Sequence, residues 1–260
     1  MTKIKFLAFI FPFLAMQACI SLGSYKGNGN VIKQQKSVGD YTQISTNGSI
    51  DVILTDGKVG DLTVEAESNL IDLVETDVAG GTLQIKIKDG IGINFYKGIK
   101  VYVPVDNRLS LVSTSGSGDV TTEKNLNSPE LTVQSSGSGD ITLNSIQALN
   151  FHAKLSGSGN FSSPSLQCGN ADISVAGSGN ATLAGKTTAL QIKLSGSADL
   201  KAPDLVADSV AISIAGSGNA TVNAQKTLSA SINGSGEIRY TGAATVTKQT
   251  VSGSGSITKF

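Results

Sequence analysis

The chain has 260 residues, only 15% of them charged, with 20 basic groups against 20 acidic ones. Arginine occurs only at Arg108 and Arg239 and no basic stripe exists, which excludes nucleic acid as a partner on electrostatic grounds. Two cysteines, Cys19 and Cys168, are too few for a disulfide framework, and tryptophan is absent.

Residues 1–18 read as an export signal: Lys3 and Lys5, an apolar run over 6–16, then small Ala18 ahead of Cys19. The run is too short to span a bilayer, and Pro12 interrupts it. Cys19 at this junction resembles the lipobox cysteine of bacterial lipoproteins, with Met16 and Gln17 departing from that pattern. The resemblance implies an acylated Cys19 as the mature N-terminus; the alternative is ordinary cleavage near Ala18 with an incidental cysteine. Ile20 and Ser21 follow, so no acidic residue favours retention in the inner membrane. The expected address is the outer membrane, on its periplasmic or cell-surface side, with the membrane engaged through N-terminal lipid. Several acyl chains on one residue anchor stably where a single chain does not. No later stretch is apolar for even ten residues, so an integral helical span is not expected.

Residues 19–36, with Gly23, Ser24, Gly27, Asn28, Gly29 and Asn30 ahead of Lys33 and Lys36, read as the lipidated cysteine and a flexible tether. Residues 37–112 form an N-terminal β-region without strict period. Alternating strands are expected over 41–45, 50–54, 62–66, 83–87 and 99–103, as in Ile50, Val52, Leu54 and in Leu83, Ile85, Ile87. Asn69 to Val74 suits one helical turn, with Asn69 capping and Leu70, Ile71 and Val74 facing in. Asn47-Gly48 and Gly80-Gly81 read as turns. This half is most simply the irregular, capping start of the structure that follows; a separate small β-domain is the alternative.

From residue 113 to 260 a tetrapeptide recurs. Gly116-Ser117-Gly118-Asp119 returns, with Asp or Asn in fourth place, at Gly137, Gly157 and Gly177, then at Gly196 (Ala198 for the second Gly), Gly216, Gly234 (ending in Glu237) and Gly253 (ending in Ser256), at spacings of 21, 20, 20, 19, 20, 18 and 19 residues. A fixed period of this size marks a stacked solenoid. Ahead of each corner apolar and polar residues alternate: Ala171, Ile173, Val175; Leu190, Ile192, Leu194; Val210, Ile212, Ile214. That is a strand with one buried face. The residue after each Asp or Asn is apolar again, as at Val120, Ile141, Phe161 and Leu200, so a second strand resumes after the corner. The glycine and Asp/Asn types suit a sharp corner, and in register Asp119, Asp140, Asn160, Asn180, Asp199, Asn219 and Glu237 would form a ladder. The expectation is an all-β, right-handed parallel β-helix of about 20 residues per coil, with Gly116 to Gly253 in one column and Ile173, Ile192 and Ile212 stacked inside.

Tyr41-Thr42-Gln43-Ile44, Asn47-Gly48-Ser49-Ile50-Asp51-Val52, Gly81-Thr82-Leu83-Gln84-Ile85 and the serial corners together resemble the "putative auto-transporter adhesin, head GIN domain" family over residues 37–260. The resemblance implies an exported Bacteroidetes protein, often a lipoprotein, with a right-handed parallel β-helix. That family brings no catalytic or ligand residues to carry over.

Asp119 with Asp140 is the one adjacent Asp–Asp pair and the only cation candidate, against a plain corner ladder. Two carboxylates fall short of the about six to eight oxygens calcium takes. No cofactor motif is present, since Gly-Ser-Gly here is corner material and not a phosphate loop before a helix. Phe151 and Phe161 fall at inward positions, His152 at an outward one beside Lys154 with no acid nearby in sequence, and Cys168 reads as an idle thiol. The function expected is a non-enzymatic envelope lipoprotein whose polar strand face meets a glycan or protein. The alternatives are a carbohydrate-active β-helix enzyme, with any site near residues 94–97 and Arg108, or a structural envelope protein. Phe260 is expected to fold over the open C-terminal core, aided by Tyr240.

Overall fold

The computed structural model describes residues 23–95 and 97–260, so Cys19 and the leader lie outside the described residues. Parallel coils about 20 residues apart stack into a β-solenoid of about seven turns. Each coil presents three walls. Wall A is the strand ahead of the glycine corner, wall B the strand after it, and wall C joins B back to A. In the regular coils one bent strand traverses all three, as in Phe161–Gly177, Ala181–Gly196 and Leu200–Gly216.

Period-two alternation decides what lies inside. Ile173, Ile192 and Ile212 are register partners in consecutive coils and are at most 4% exposed. Phe151 and Phe161 are buried and stack with ring centres 5.6 Å apart. The glycine column forms as expected, because the corners pack backbone on backbone. A Cβ on Gly157, at φ +146°, would stand 2.3 Å from the Gly137 carbonyl oxygen.

The N-terminal half belongs to the same core, but its stacking order departs from chain order. Gln43–Gly48 pairs in parallel with Thr82–Ile87 on one side and Leu111–Gly116 on the other. Asp51–Thr55 likewise lies between Lys100–Pro104 and Val120–Thr122. The chain therefore lays down one coil, adds a second beneath it, and crosses back to begin the regular stack above. Asn47-Gly48, read as an isolated turn, is the first rung of the glycine column, with Gly48 against Gly116.

The lower end is closed by antiparallel strands. Val31–Ser37 pairs with Asp61–Glu67, which pairs with Lys100–Pro104, and Val74–Ala79 pairs with Thr82–Ile87. A single 3-10 turn, Ile71–Leu73, spans the end with Leu70, Ile71 and Val74 buried, as expected. Asn69 does not cap it: no side chain caps the turn, and the Asn69 amide donates to the Lys26 carbonyl while its oxygen accepts from the Asn28 N–H. Those bonds hold down the segment read as a tether. Gly23–Lys26 pairs with Ile91–Asn94 and Val31–Ser37 joins the main sheet, because backbone pairing outweighs the local glycine content.

The upper end corrects the expected plug. Phe260 is 53% exposed and lies on the outer surface with the Arg239 guanidinium 4.8 Å from its ring centre. Strand alternation decides this: Lys259 is the register partner of Tyr240, which packs against the core, so the next residue emerges outward.

Candidate functional site

The outward side of wall A follows from two periods acting together. Alternation sends every second residue out, and the coil repeat sets those residues in rows along the solenoid axis about 4.8 Å apart. One row runs Ser113, Gln134, Lys154, Ser174, Lys193, Ser213 and Ser231. The next, two residues earlier in each strand, runs Thr132, His152, Asp172, Gln191, Ala211 and Ser229.

A groove of about 530 Å³ follows this second row at the junction of walls C and A, lined by His152, Asp172, Gln191, Ser209, Thr227 and Ser229, among others. Its rim carries amide contacts, with Asn170 Nδ2 donating to Asn150 Oδ1 at 2.8 Å. Ala189 and Ala211 leave its middle open. His152 is partnered: its Nδ1 lies 4.0 Å from Asp172 Oδ2, and both side chains are partly exposed. Sequence neighbourhood missed this pair because Asp172 stands one full coil away. The signal was the repeat itself, since adding a coil length to an outward position names its spatial neighbour.

Lys154 and Lys193 are exposed on the first row with Ser174 between them. Neither forms an ion pair or hydrogen bond with the described residues.

The other candidates are engaged in the framework. In the corner ladder each side chain accepts the backbone N–H of the next corner: Asp51 from Asp119, Asp119 from Asp140, Asp140 from Asn160, and on to Asn219 from Glu237. The Oδ1 atoms of Asp119 and Asp140 are thus committed to backbone donors. Among the described residues no group of three or more His, Cys, Asp and Glu side chains is placed to hold a metal.

Near the crossover, Arg108 makes a bidentate pair with Asp40 at 2.6 and 2.9 Å and reaches Asp106 through Nε at 2.9 Å. The guanidinium holds both carboxyls below their ordinary value. Lys124 closes the neighbouring hollow, with Nζ 2.8 Å from Asp56 and donating to the Val105 carbonyl. The Asn94 carbonyl accepts from the Gly27 N–H, and Tyr96 lies outside the described residues. These groups fasten the crossing chain and the N-terminal strand. The Cys168 thiol donates to Thr187 Oγ1 at 3.4 Å, and burial pushes its pKa up, away from a reactive thiolate.

The family described as "Putative auto-transporter adhesin, head GIN domain" matches residues 40–244. A solved structure from Parabacteroides distasonis, described as "Putative lipid binding protein", is 30% identical with a TM-score of 0.85, covering 91% of this chain and 99% of its own. A "putative adhesin" from Parabacteroides merdae (21% identical, TM-score 0.78) covers 91% of this chain and 99% of its own. A second "putative adhesin" from Parabacteroides distasonis (23% identical, TM-score 0.84) covers 91% and 100%. These last two bear on the fold alone. No curated protein matches the chain.

Proposed function

We propose, from the premise that the chain belongs to the "Putative auto-transporter adhesin, head GIN domain" family, that it is a non-enzymatic adhesion module of the cell envelope, exported and lipid-anchored through Cys19. The observation that carries this reading is the outward side of wall A. It is a long, regular array of hydroxyl, amide and ammonium groups with a groove along it, fixed on a rigid stack. Such an array offers many weak, repeated contacts, which together bind firmly where single ones do not. Because the backbone carrying it is fixed by strand pairing, the array meets a partner without ordering a loop, and only its exposed side chains must be immobilised.

The test is a binding screen of residues 20–260 against glycans and envelope extracts. A vesicle arm is included because one relative is described as lipid binding. Retention by wild type, lost when bulky residues replace Ser174 and Ser213, supports docking on wall A; retention that ignores these changes removes the face from the reading. The His152–Asp172 pair is the one observation favouring a carbohydrate-active enzyme, and a glycan shortened during the same screen would establish that instead. For the anchor, Cys19→Ser is expected to move the protein from the membrane fraction to the soluble periplasmic one. Unchanged fractionation would remove the lipid anchor from the proposal.

A further inference from the structure

We propose that the occupant of wall A is an anionic glycan lying along the solenoid axis, its acidic groups met by Lys154 and Lys193. This rests on the docking reading above and narrows it to a ligand class. Charge comes first. Several exposed cations of the described chain face an acid, as in Lys33 with Glu65, Lys58 with Asp61 and Lys226 with Asp208. Lys154 and Lys193, like Lys201 on wall B, face none, and the two stand exposed in one row on the outward side of wall A. Lys248 extends the His152 row at its upper end as register partner of Ser229. Of the acids on this wall, Asp172 lies against His152, and Glu130 sits at the lower rim in register with Asn150. The wall therefore carries three lysines, Lys154, Lys193 and Lys248, against the two acids, a small positive surplus in a chain whose formal charges balance overall.

Spacing comes second. Lys154, Ser174 and Lys193 are consecutive in one row, so the two ammonium groups are rooted two coils apart, about 10 Å. An extended chain of pyranose rings advances by nearly one coil step per sugar. Acidic groups on alternate sugars would fall in step with the two lysines, while the sugar between them would lie over Ser174. A lysine ammonium is a mobile point charge that meets a carboxylate or sulfate without demanding one fixed geometry.

The groove lining comes third. Asn150, Asn170, Gln191 and Ser209 supply both donors and acceptors, the chemistry that ring hydroxyls require. No Phe, Tyr or Trp side chain lines the groove to stack a sugar face, so attraction rests on charge and hydrogen bonds and must weaken with salt.

The experiment titrates residues 20–260 with a hyaluronan oligosaccharide, acidic at alternate sugars, and with a neutral chitin oligosaccharide, at low and high salt. The acidic oligosaccharide is expected to bind and the neutral one far less, with affinity falling as salt rises. Lys154→Gln combined with Lys193→Gln is expected to weaken binding about tenfold, the sum of two solvent-exposed ion pairs. Lys154→Arg with Lys193→Arg should retain it. Lys201→Gln, exposed on wall B, is expected to change nothing. All of these positions are exposed, and an unchanged melting temperature confirms that each variant is folded. Equal affinity for the two oligosaccharides, or a double glutamine variant that binds like the parent, overturns the proposal. An envelope protein or anionic vesicle retained on wall A while neither oligosaccharide binds also overturns it, but leaves the docking face standing. If nothing is retained at all, both readings fall together.

Discussion

Arg108 is one of two arginines in the chain, and its guanidinium bridges Asp40 and Asp106 where the chain crosses back over its first coil. Both carboxyls are held below their ordinary value of 3.8, chiefly by the hydrogen bonds from Arg108. Their contribution to stability is therefore complete above that value and is lost as pH falls through the lowered folded values. Arg108→Gln is expected to melt below wild type at neutral pH, with the two curves converging on acidification. The site is open to solvent, so the difference should also shrink in high salt. A gap that persists in acid would assign the effect to lost packing by the arginine stem instead. Nothing in the local sequence pointed to this pairing, because Asp40 and Arg108 meet only through the 68-residue offset of the crossover.

Among the elements, the corner ladder separates the role of an acceptor from that of a charge. Asp199 Oδ1 accepts the Asn219 backbone N–H at 2.8 Å and its side-chain amide at 3.0 Å. Asp199→Ala should cost about 1 kcal/mol by urea denaturation, a typical value for a lost hydrogen bond at a partly solvated site. Asp199→Asn keeps the acceptor and should stay within about 0.5 kcal/mol of wild type. Equal losses in the two variants would show that charge, not acceptance, matters there. A second ladder was not anticipated. Thr46, Thr114 and Ser135 are register partners in three consecutive coils, buried, with hydroxyl oxygens that have no protein partner. Their counterparts higher up are Leu155 and Val175, so this inward column becomes aliphatic away from the crossover.

For the molecule as a whole, each coil touches only its neighbours, so stability is built from coil interfaces and can fail locally. Ile192 is buried between Ile173 and Ile212. Ile192→Asp places an unpaired charge there and should cost about 4 kcal/mol or more, whereas Gln191→Asn, one residue away on the exposed face, should be nearly silent. Hydrogen exchange in the Ile192 variant should quicken most in the coils spanning 171–216 and least beside the antiparallel cap. Uniform quickening would mean that the stack unfolds as one unit.

The sequence by itself determined the coil. The 18- to 21-residue period fixed which glycines stack, and alternation ahead of each corner fixed which side chains enter the core, because both are local properties repeated without interruption. It also placed Ser174, Lys154 and Lys193 on the outside. Tertiary structure alone decided what has no period. The coil at 43–55 sits between partners that follow it in the chain, residues 23–26 and 31–36 of the supposed tether are strands, and Phe260 emerges beside Arg239 rather than over the core. The reason is physical: strand pairing is satisfied by whichever edge is free, and a free edge is a property of the assembled stack that leaves no mark in neighbouring residues. The groove belongs to both. Its rows follow from the repeat, but the His152–Asp172 pair and the two solitary lysines acquire meaning only when consecutive coils lie side by side.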